Sequence, residues 1–504
     1  MSKRRLAVSA WSLPLACLLA LSSGADAQTD RSSEGYRQQG EAALTRLKNS
    51  TPRPARARNV IIFIGDGMGV STLTAGRIFA GQSLGRDGES YETAMDSLDH
   101  AALVKTYSHD AQVADSASTA TAIMTGVKTR SRTLGVGPEA AFEDCPAALA
   151  HPLPSLFDIA QQRRRATGVV TTTRITHATP AATYAHTPQR DWESDTDMPE
   201  AARREGCLDI ARQLVEGPVG ARLDVILGGG RAAFLPRTRK DPEYADKTGG
   251  RSDGRDLVQV WQRANPKAAF VWKRDQFAAV DPDRHTRLLG LFEPSHMQYE
   301  ADRARDGAGE PSLAEMVETA IRMLSRNPQG YVLMVEGGRI DHAHHAGNAH
   351  RALADTKALD EAVATALRLV DLDDTLIITT ADHSHTLSIS GYPGRGNPIL
   401  GTVAHTPGTP VLAKDKKAYT TLSYANGPGA VSASERPDPA TTDTGAVDYR
   451  QQSLIPLSSE THGGEDVVVR ASGAGAQLFR GTIEQHTIFY IVREALFGAS
   501  DNHQ

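Results

Sequence analysis

Residues 59–66 read NVIIFIGD, an uncharged β-branched run that stops at a glycine and an acid. The run has no polar alternation, so it predicts a strand buried on both faces, as in a parallel sheet. Four further runs share this character: GVVTTT (168–173), DVILGG (224–229), YVLMVEG (331–337) and TLIITTAD (375–382). Stretches of helical periodicity separate them, among them SLAEMVETAIRMLSR (312–326) and RALADTKALDEAVATALRLV (351–370). This alternation predicts an α/β fold, with a doubly wound, mainly parallel central sheet and helices on both faces.

At 504 residues the chain can bury one large core or several ordinary ones, so length leaves the domain count open. Hydrophobic residues make up 40% and charged residues 23%, a globular balance that excludes a disordered chain. A net charge of −5 gives no electrostatic reason for a nucleic-acid-binding module. The first 27 residues read as a signal peptide: basic MSKRR, apolar LAVSAWSLPLACLLAL, then Ala25-Asp26-Ala27 before the cut. The apolar run falls short of the roughly 20 residues a membrane span needs. FGASDNHQ at the C-terminus has no hydrophobic anchor signal. An exported protein, periplasmic or secreted and without a membrane anchor, is expected. In such a chain Cys145 and Cys207 favour a disulfide over free thiols, and zinc ligation lacks a C-x-x-C spacing. The closed loop would span about 62 residues.

Residues 33–50 read as a peripheral helix and 237–256 as a surface loop. Residues 391–458 lose the strand–helix rhythm and fill with Gly, Pro, Ser and Thr, as an inserted subdomain would.

The acids and histidines worth attention stand at strand C-terminal ends: Asp66, His177 and Thr179, Glu336, then Asp382 and His383. Open α/β sheets build their sites along that edge. Four carboxylates gathered there (Asp66, Glu336, Asp341 and Asp382) would repel one another without cations. In EGGRIDHAHH (336–345), Asp341 and His345 are spaced i, i+4, one face of a helix. Mixed imidazole and carboxylate ligands suit zinc, and an all-oxygen set suits magnesium. His344 and His350 in the same region read as structural.

VADSASTATAIMTG (113–126) carries five hydroxyls, and nothing local tells a nucleophile from small residues chosen for close packing. Together with FIGDGMG (63–69), THATPAATYAHTPQR (176–190), EGGRIDHAHH, TADHSH (380–385) and ETHGGEDV (460–467), it resembles the signature segments of alkaline phosphatases. The likeness runs from about residue 35 to 498 and is nearest the animal-type enzymes. The enterobacterial type has an aspartate and a lysine where this chain has His177 and His342.

The resemblance implies a metal-dependent phosphomonoesterase with an alkaline optimum and a broad range of phosphate monoesters. One zinc would be held by Asp341, His345 and His462, and a second by Asp66, Asp382 and His383 with Ser116. Magnesium would share Asp66 and take Thr179 and Glu336. His177 and His342 would order waters or phosphate contacts, and Arg190 would clamp two phosphate oxygens. Ser116 would attack phosphorus to give a phosphoserine that water then hydrolyses. Asp115 would act as a cap or support the site from behind the metal ligands, and the other four hydroxyls would only pack. A structural calcium would take Glu243, the Phe292 carbonyl, Glu293 and Glu310, the loop before Glu310 being lengthened. Cys145 and Cys207 match a family disulfide.

A homodimer is implied too, with residues 391–458 as a crown at the interface and 28–50 as an arm around the partner. The catalytic domain would then comprise 51–390, including a calcium-binding region of about 237–311, together with 459–504. Other readings fit less well. CPAAL at Cys145 fails the C-x-P-x-R motif of a sulfatase. A phosphodiesterase would lack the magnesium set, and a non-catalytic zinc or phosphate scavenger would not need a complete ligand set with its serine.

Overall fold

A computed structural model describes residues 54–432 and 436–498, together with Gln38. The expected signal peptide (1–27) and the rest of the expected arm (28–50) lie outside the described residues. The run that opens the sequence forms β1 (Asn59–Gly65), every residue of which is buried. It is followed in chain order by β2 (His100–Lys105), β3 (Ala166–Arg174), β4 (Val225–Gly229) and β5 (Ala269–Val271). Next come β6 (Leu288–Leu291), β7 (Tyr331–Gly337) and β8 (Thr375–Ala381). Among the described residues seven short strands lie outside the main sheet: β9 (Ser384–His385), β10 (Leu387–Ile389), β11 (Ala404–Thr406), β12 (Thr409–Pro410), β13 (Leu422–Gly427), β14 (Ser453–Pro456) and β15 (His462–Gly463). The chain then returns to the sheet through β16 (Val467–Gly473) and β17 (Thr482–Glu484).

The central sheet has ten strands in the order β17-β2-β16-β8-β1-β7-β3-β4-β6-β5. From β8 to β5 all neighbours are parallel, and β16 runs antiparallel to both β8 and β2. The expected doubly wound α/β sheet is therefore present. Helices cover both faces. On one, α1 (Val70–Ser83) and α3 (Leu313–Leu324) pack against α5 (Ala349–Leu369), with α4 (Arg339–His345) beside them. On the other, α2 (Ser116–Thr125) packs against α6 (Thr487–Phe497) and the helix Leu156–Gln162. The boundaries have local causes. A capping box starts α3, Ser312 and Glu315 each satisfying the other's backbone N–H. Gly126 at φ +76° ends α2.

The described residues of 391–458 contribute no strand to the main sheet. There β13 and β14 join β10 in a three-stranded sheet, and β11 and β12 form a hairpin. Leu387, Ile399, Leu422 and Tyr424 bury themselves against Ala75 and Ile78 of α1 and Ala349 and Leu353 of α5. The stretch 237–256 departs from a plain surface loop: Asp241 and Arg251 are buried. Arg251 donates from both Nη atoms to the Asp209 carboxylate at 3.0 Å. A long charged side chain goes inside only when its charge is answered, and a partner so distant in sequence cannot be read from composition. Cys145 and Cys207 form a disulfide beside Trp192.

Candidate metal and phosphate site

β1 is hydrogen-bonded to β7 on one side and β8 on the other, with Ile64 opposite Glu336 and Gly65 opposite Ala381. That register sets Asp66, Glu336 and Asp382 on one C-terminal edge, all fully buried. Burial, then repulsion from Asp382, Asp341 and Glu336, holds the Asp66 carboxyl well above the usual range. Burial pushes Glu336 up to about 7 and raises Asp382 as well. Asp66 Oδ2, Glu336 Oε1 and the Thr179 hydroxyl have no hydrogen-bond partner. Buried oxygens left bare beside like charges are what a bound cation would satisfy.

The i, i+4 pair lies on α4 as its spacing predicts. His345 Nε2 and His462 Nε2 each stand 3.4 Å from Asp341 Oδ1 and 3.2 Å from one another. Each ring engages a carbonyl through Nδ1, His345 with Glu460 O at 2.5 Å and His462 with Ala114 O at 2.8 Å. A carbonyl only accepts, so both protons sit on Nδ1 and two Nε2 lone pairs face each other. Facing lone pairs beside a carboxylate fit a zinc site.

Sequence reading passed over His385, although it stands in the quoted TADHSH segment. His385 Nε2 is 2.7 Å from Asp341 Oδ1, and its Nδ1 is 2.5 Å from Glu460 Oε2. Burial works against its charge, but the bonds to Asp341 and Glu460 prevail and lift its pKa to about 10. With both nitrogens donating, His385 orients Asp341 rather than offering a lone pair. Burial also works on Asp341, yet the neighbouring His345 and the hydrogen bond from His385 carry its carboxyl well below the usual range.

Ser116 opens α2, one residue after its N-cap Asp115, which accepts from Ala117 N. Ser116 Oγ lies 3.1 Å from His383 Nε2 and 3.5 Å from Asp66 Oδ1. His383 Nε2 is in turn 3.3 Å from Asp382 Oδ2 and 3.4 Å from Asp66 Oδ1. The exposed N–H groups of the helix start add positive potential at Ser116. Asp115 also accepts from Arg190 Nη1, at its Oδ2 across 3.1 Å. Thr119 is more than filler, because it donates to Asp382 Oδ2 at 3.3 Å.

His177 Nε2 accepts from Arg190 Nη2 at 3.1 Å. Burial, with Arg190 and His342 nearby, keeps this ring neutral. Its proton is then on Nδ1, which is buried without a partner and suits an oxygen ligand better than a metal. His342 lies edge-on to His177, the ring centres 5.4 Å apart, and His296, absent from the sequence reading, contacts both. His344 is structural: it is buried between the Thr72 hydroxyl at 3.0 Å and the Tyr424 hydroxyl at 2.8 Å. His350 Nδ1 is 2.7 Å from Gly445 O.

Farther along the edge, Phe292 and Glu293 follow β6, and both are buried. Glu243 and Glu293 are brought together with Asp306, which the sequence reading did not select. Glu310 is buried nearby, its Oε1 accepting from Gln298 N at 2.9 Å.

A family model for alkaline phosphatase matches residues 57–497. Over 471 residues the chain is 45% identical to the tissue-nonspecific alkaline phosphatase of Gallus gallus, covering 92% of this chain and 89% of that one. Over 456 residues it is 44% identical to the Homo sapiens tissue-nonspecific isozyme, covering 89% and 85%. The solved alkaline phosphatase of Thermus thermophilus superposes with a TM-score of 0.63 at 26% identity, covering 90% and 94%. That of the Antarctic bacterium TAB5 shares the fold, with a TM-score of 0.60 at 22% identity, covering 88% and 99%. A match that spans the whole sheet and every segment at its catalytic edge means that the chain belongs to the alkaline phosphatase family and is a phosphomonoesterase.

Proposed function

We propose that the chain hydrolyses a broad range of phosphate monoesters at alkaline pH through a covalent phosphoserine on Ser116. The observation that carries this reading is the setting of Ser116 Oγ: at a helix start, 3.1 Å from His383 Nε2, with Arg190 anchored on the preceding residue. In the first step the Ser116 Oγ–P bond forms as the ester P–O bond breaks and the alcohol leaves with a proton. In the second, water oxygen bonds to phosphorus as the Oγ–P bond breaks, and the serine hydroxyl is regenerated. Two in-line displacements give net retention at phosphorus. Arg190 holds phosphoryl oxygens through its planar fork, and the N–H groups at the start of α2 face the same charge. Contacts confined to the phosphoryl group leave the alcohol unselected.

The donor sets suit two zinc ions, one on Asp341, His345 and His462 and one on Asp66, Asp382, His383 and Ser116. Asp66, Thr179 and Glu336 suit magnesium. Glu243, the Phe292 carbonyl, Glu293 and Glu310 would hold a structural calcium. Bound zinc and magnesium would supply Lewis acidity and positive charge where the nucleophile ionises and the alkoxide departs. Export and homodimerisation belong to the same reading. Leu454 and Ile455 of β14, with Leu457 beyond it, are exposed apolar side chains that a partner crown would cover. Among the described residues no helix is long and apolar enough to cross a membrane.

The test is aryl phosphate hydrolysis by the zinc- and magnesium-loaded protein and its Ser116→Ala variant. Activity should fall by about 10⁴-fold or more in the variant, as when a catalytic nucleophile is removed. Quenched wild type should carry acid-stable phosphate on Ser116. Undiminished turnover by the alanine variant would exclude the covalent route.

A further inference from the structure

Four positions along the sheet from β1, beyond the end of β6, lies a second cluster of acids. Glu243, Glu293 and Asp306 each bring a carboxylate oxygen within 4.8 Å of the others. Glu243 Oε1, Asp306 Oδ2 and Glu310 Oε2 are all buried without a hydrogen-bond partner, and Glu310 is only 1% exposed. Neutral donors hold Glu293: its Oε1 accepts from the Tyr244 hydroxyl at 3.0 Å and from Gln298 Nε2 at 2.8 Å. Among the described residues the ion pair of this group is Arg231 with Glu243 at 2.8 Å, and Arg231 is shared with Asp241. One divided guanidinium does not answer four carboxylates. Burial, then repulsion from Glu293, pushes Glu310 up to about 9.

Family resemblance points to Glu243, the Phe292 carbonyl, Glu293 and Glu310, a set without Asp306. The lengthened loop supplies it. The chain turns at Arg303–Arg305 and again through Gly309 at φ +75°, so Asp306 comes to face Glu243, while Glu310 lies near enough to be repelled by Glu293 and Asp306. Glycine takes that left-handed conformation without a Cβ penalty.

We infer that Asp306 is a cation ligand, making with Glu243, Glu293 and Glu310 a four-carboxylate, oxygen-only site for a hard cation of the calcium or lanthanide class. The inference rests on the reading that a cation occupies this cluster. It adds a charge to the ligand set, and ligand charge is one of the quantities that tunes affinity at oxygen sites. The alternative is a pair of acids, Glu243 and Asp306, that merely share a proton.

Terbium separates these possibilities without any measurement of activity. Tyr244 touches Glu293, and the Trp272 ring centre is 5.5 Å from the guanidinium carbon of Arg231, so both aromatic rings are close enough to sensitise emission. The full-length protein, loaded with zinc and magnesium, is titrated with terbium and then with competing calcium. Wild type should give saturable emission that calcium displaces and Glu243→Gln abolishes. Asp306→Asn should weaken both ions by about tenfold or more, and Asp306→Glu should restore much of the loss. Unchanged affinity in Asp306→Asn alongside loss in Glu310→Gln would overturn the role of Asp306 and leave the calcium reading standing. No calcium-sensitive emission from wild type would overturn both. Circular dichroism of each variant reports whether the fold is kept.

Discussion

Arg190 Nη1 donates to Asp115 Oδ2 across 3.1 Å, and Asp115 is also the N-cap of the helix that Ser116 opens. Burial opposes the Arg190 charge, but Asp115 and Asp66 outweigh it and keep the guanidinium firmly protonated. One carboxylate thus sets the positions of both the proposed nucleophile's helix and the proposed phosphate clamp.

This double role makes two variants differ. Arg190→Ala removes the clamp and should lower kcat/KM on an aryl phosphate by about 100-fold, with weaker inhibition by inorganic phosphate. Asp115→Ala keeps the guanidinium but frees it, and removes a cap worth about 1 kcal/mol. It should lower both thermal stability and phosphate affinity. Wild-type inhibition by phosphate in Arg190→Ala would remove Arg190 from phosphate binding.

The bare oxygens at the catalytic edge predict strong metal linkage. Chelation should abolish activity and lower the melting temperature, since a ligand at 100 times its Kd contributes about 2.7 kcal/mol. Zinc with magnesium should restore both, and magnesium alone should not. A melting temperature indifferent to chelation would count against tight metal binding at these residues.

His385 predicts a pH dependence of the metal-free protein. Its folded pKa, about 10, lies above its ordinary value of 6.5. Its contribution to stability is therefore complete below pH 6.5 and is lost as pH rises through 10. Between those limits the unfolded state releases a proton that the folded state keeps, a slope of about −1.4 kcal/mol per pH unit. Wild type and His385→Gln, unfolded in urea across this range, should converge in stability as pH rises. A constant difference between them would mean that His385 is not held charged.

The Cys145–Cys207 bridge closes a loop with a sequence separation of 62, worth about 4 kcal/mol in the chain-entropy model. Replacing both cysteines by alanine should lower the urea midpoint accordingly and leave turnover of surviving folded enzyme near wild type. An unchanged midpoint would show that the unfolded chain gains little freedom when the bridge is removed.

Much of the site is legible in sequence for a specific reason. A strand buried on both faces rarely carries a charge along its length, so an acid that directly follows one, as Asp66 and Asp382 do, stands out. The i, i+4 spacing of Asp341 and His345 is likewise local, and α4 realises it. His385, Glu460 and Asp306 leave no comparable mark. His385 and Glu460 matter because β9 pairs with β15, a pairing between segments far apart in the chain. Asp306 sits in a loop whose path depends on the turn at Gly309 and the acids it meets.

By itself the sequence determined the α/β class, the strand ends that carry the candidate metal-binding acids and the expectation that its two remaining cysteines pair. These follow from local periodicity and composition. Only the tertiary structure decided the strand order, the single antiparallel strand β16, the burial of Arg251 and which acids share a charge cluster. Those depend on contacts between distant residues, where burial turns a modest attraction or repulsion into one strong enough to select a partner.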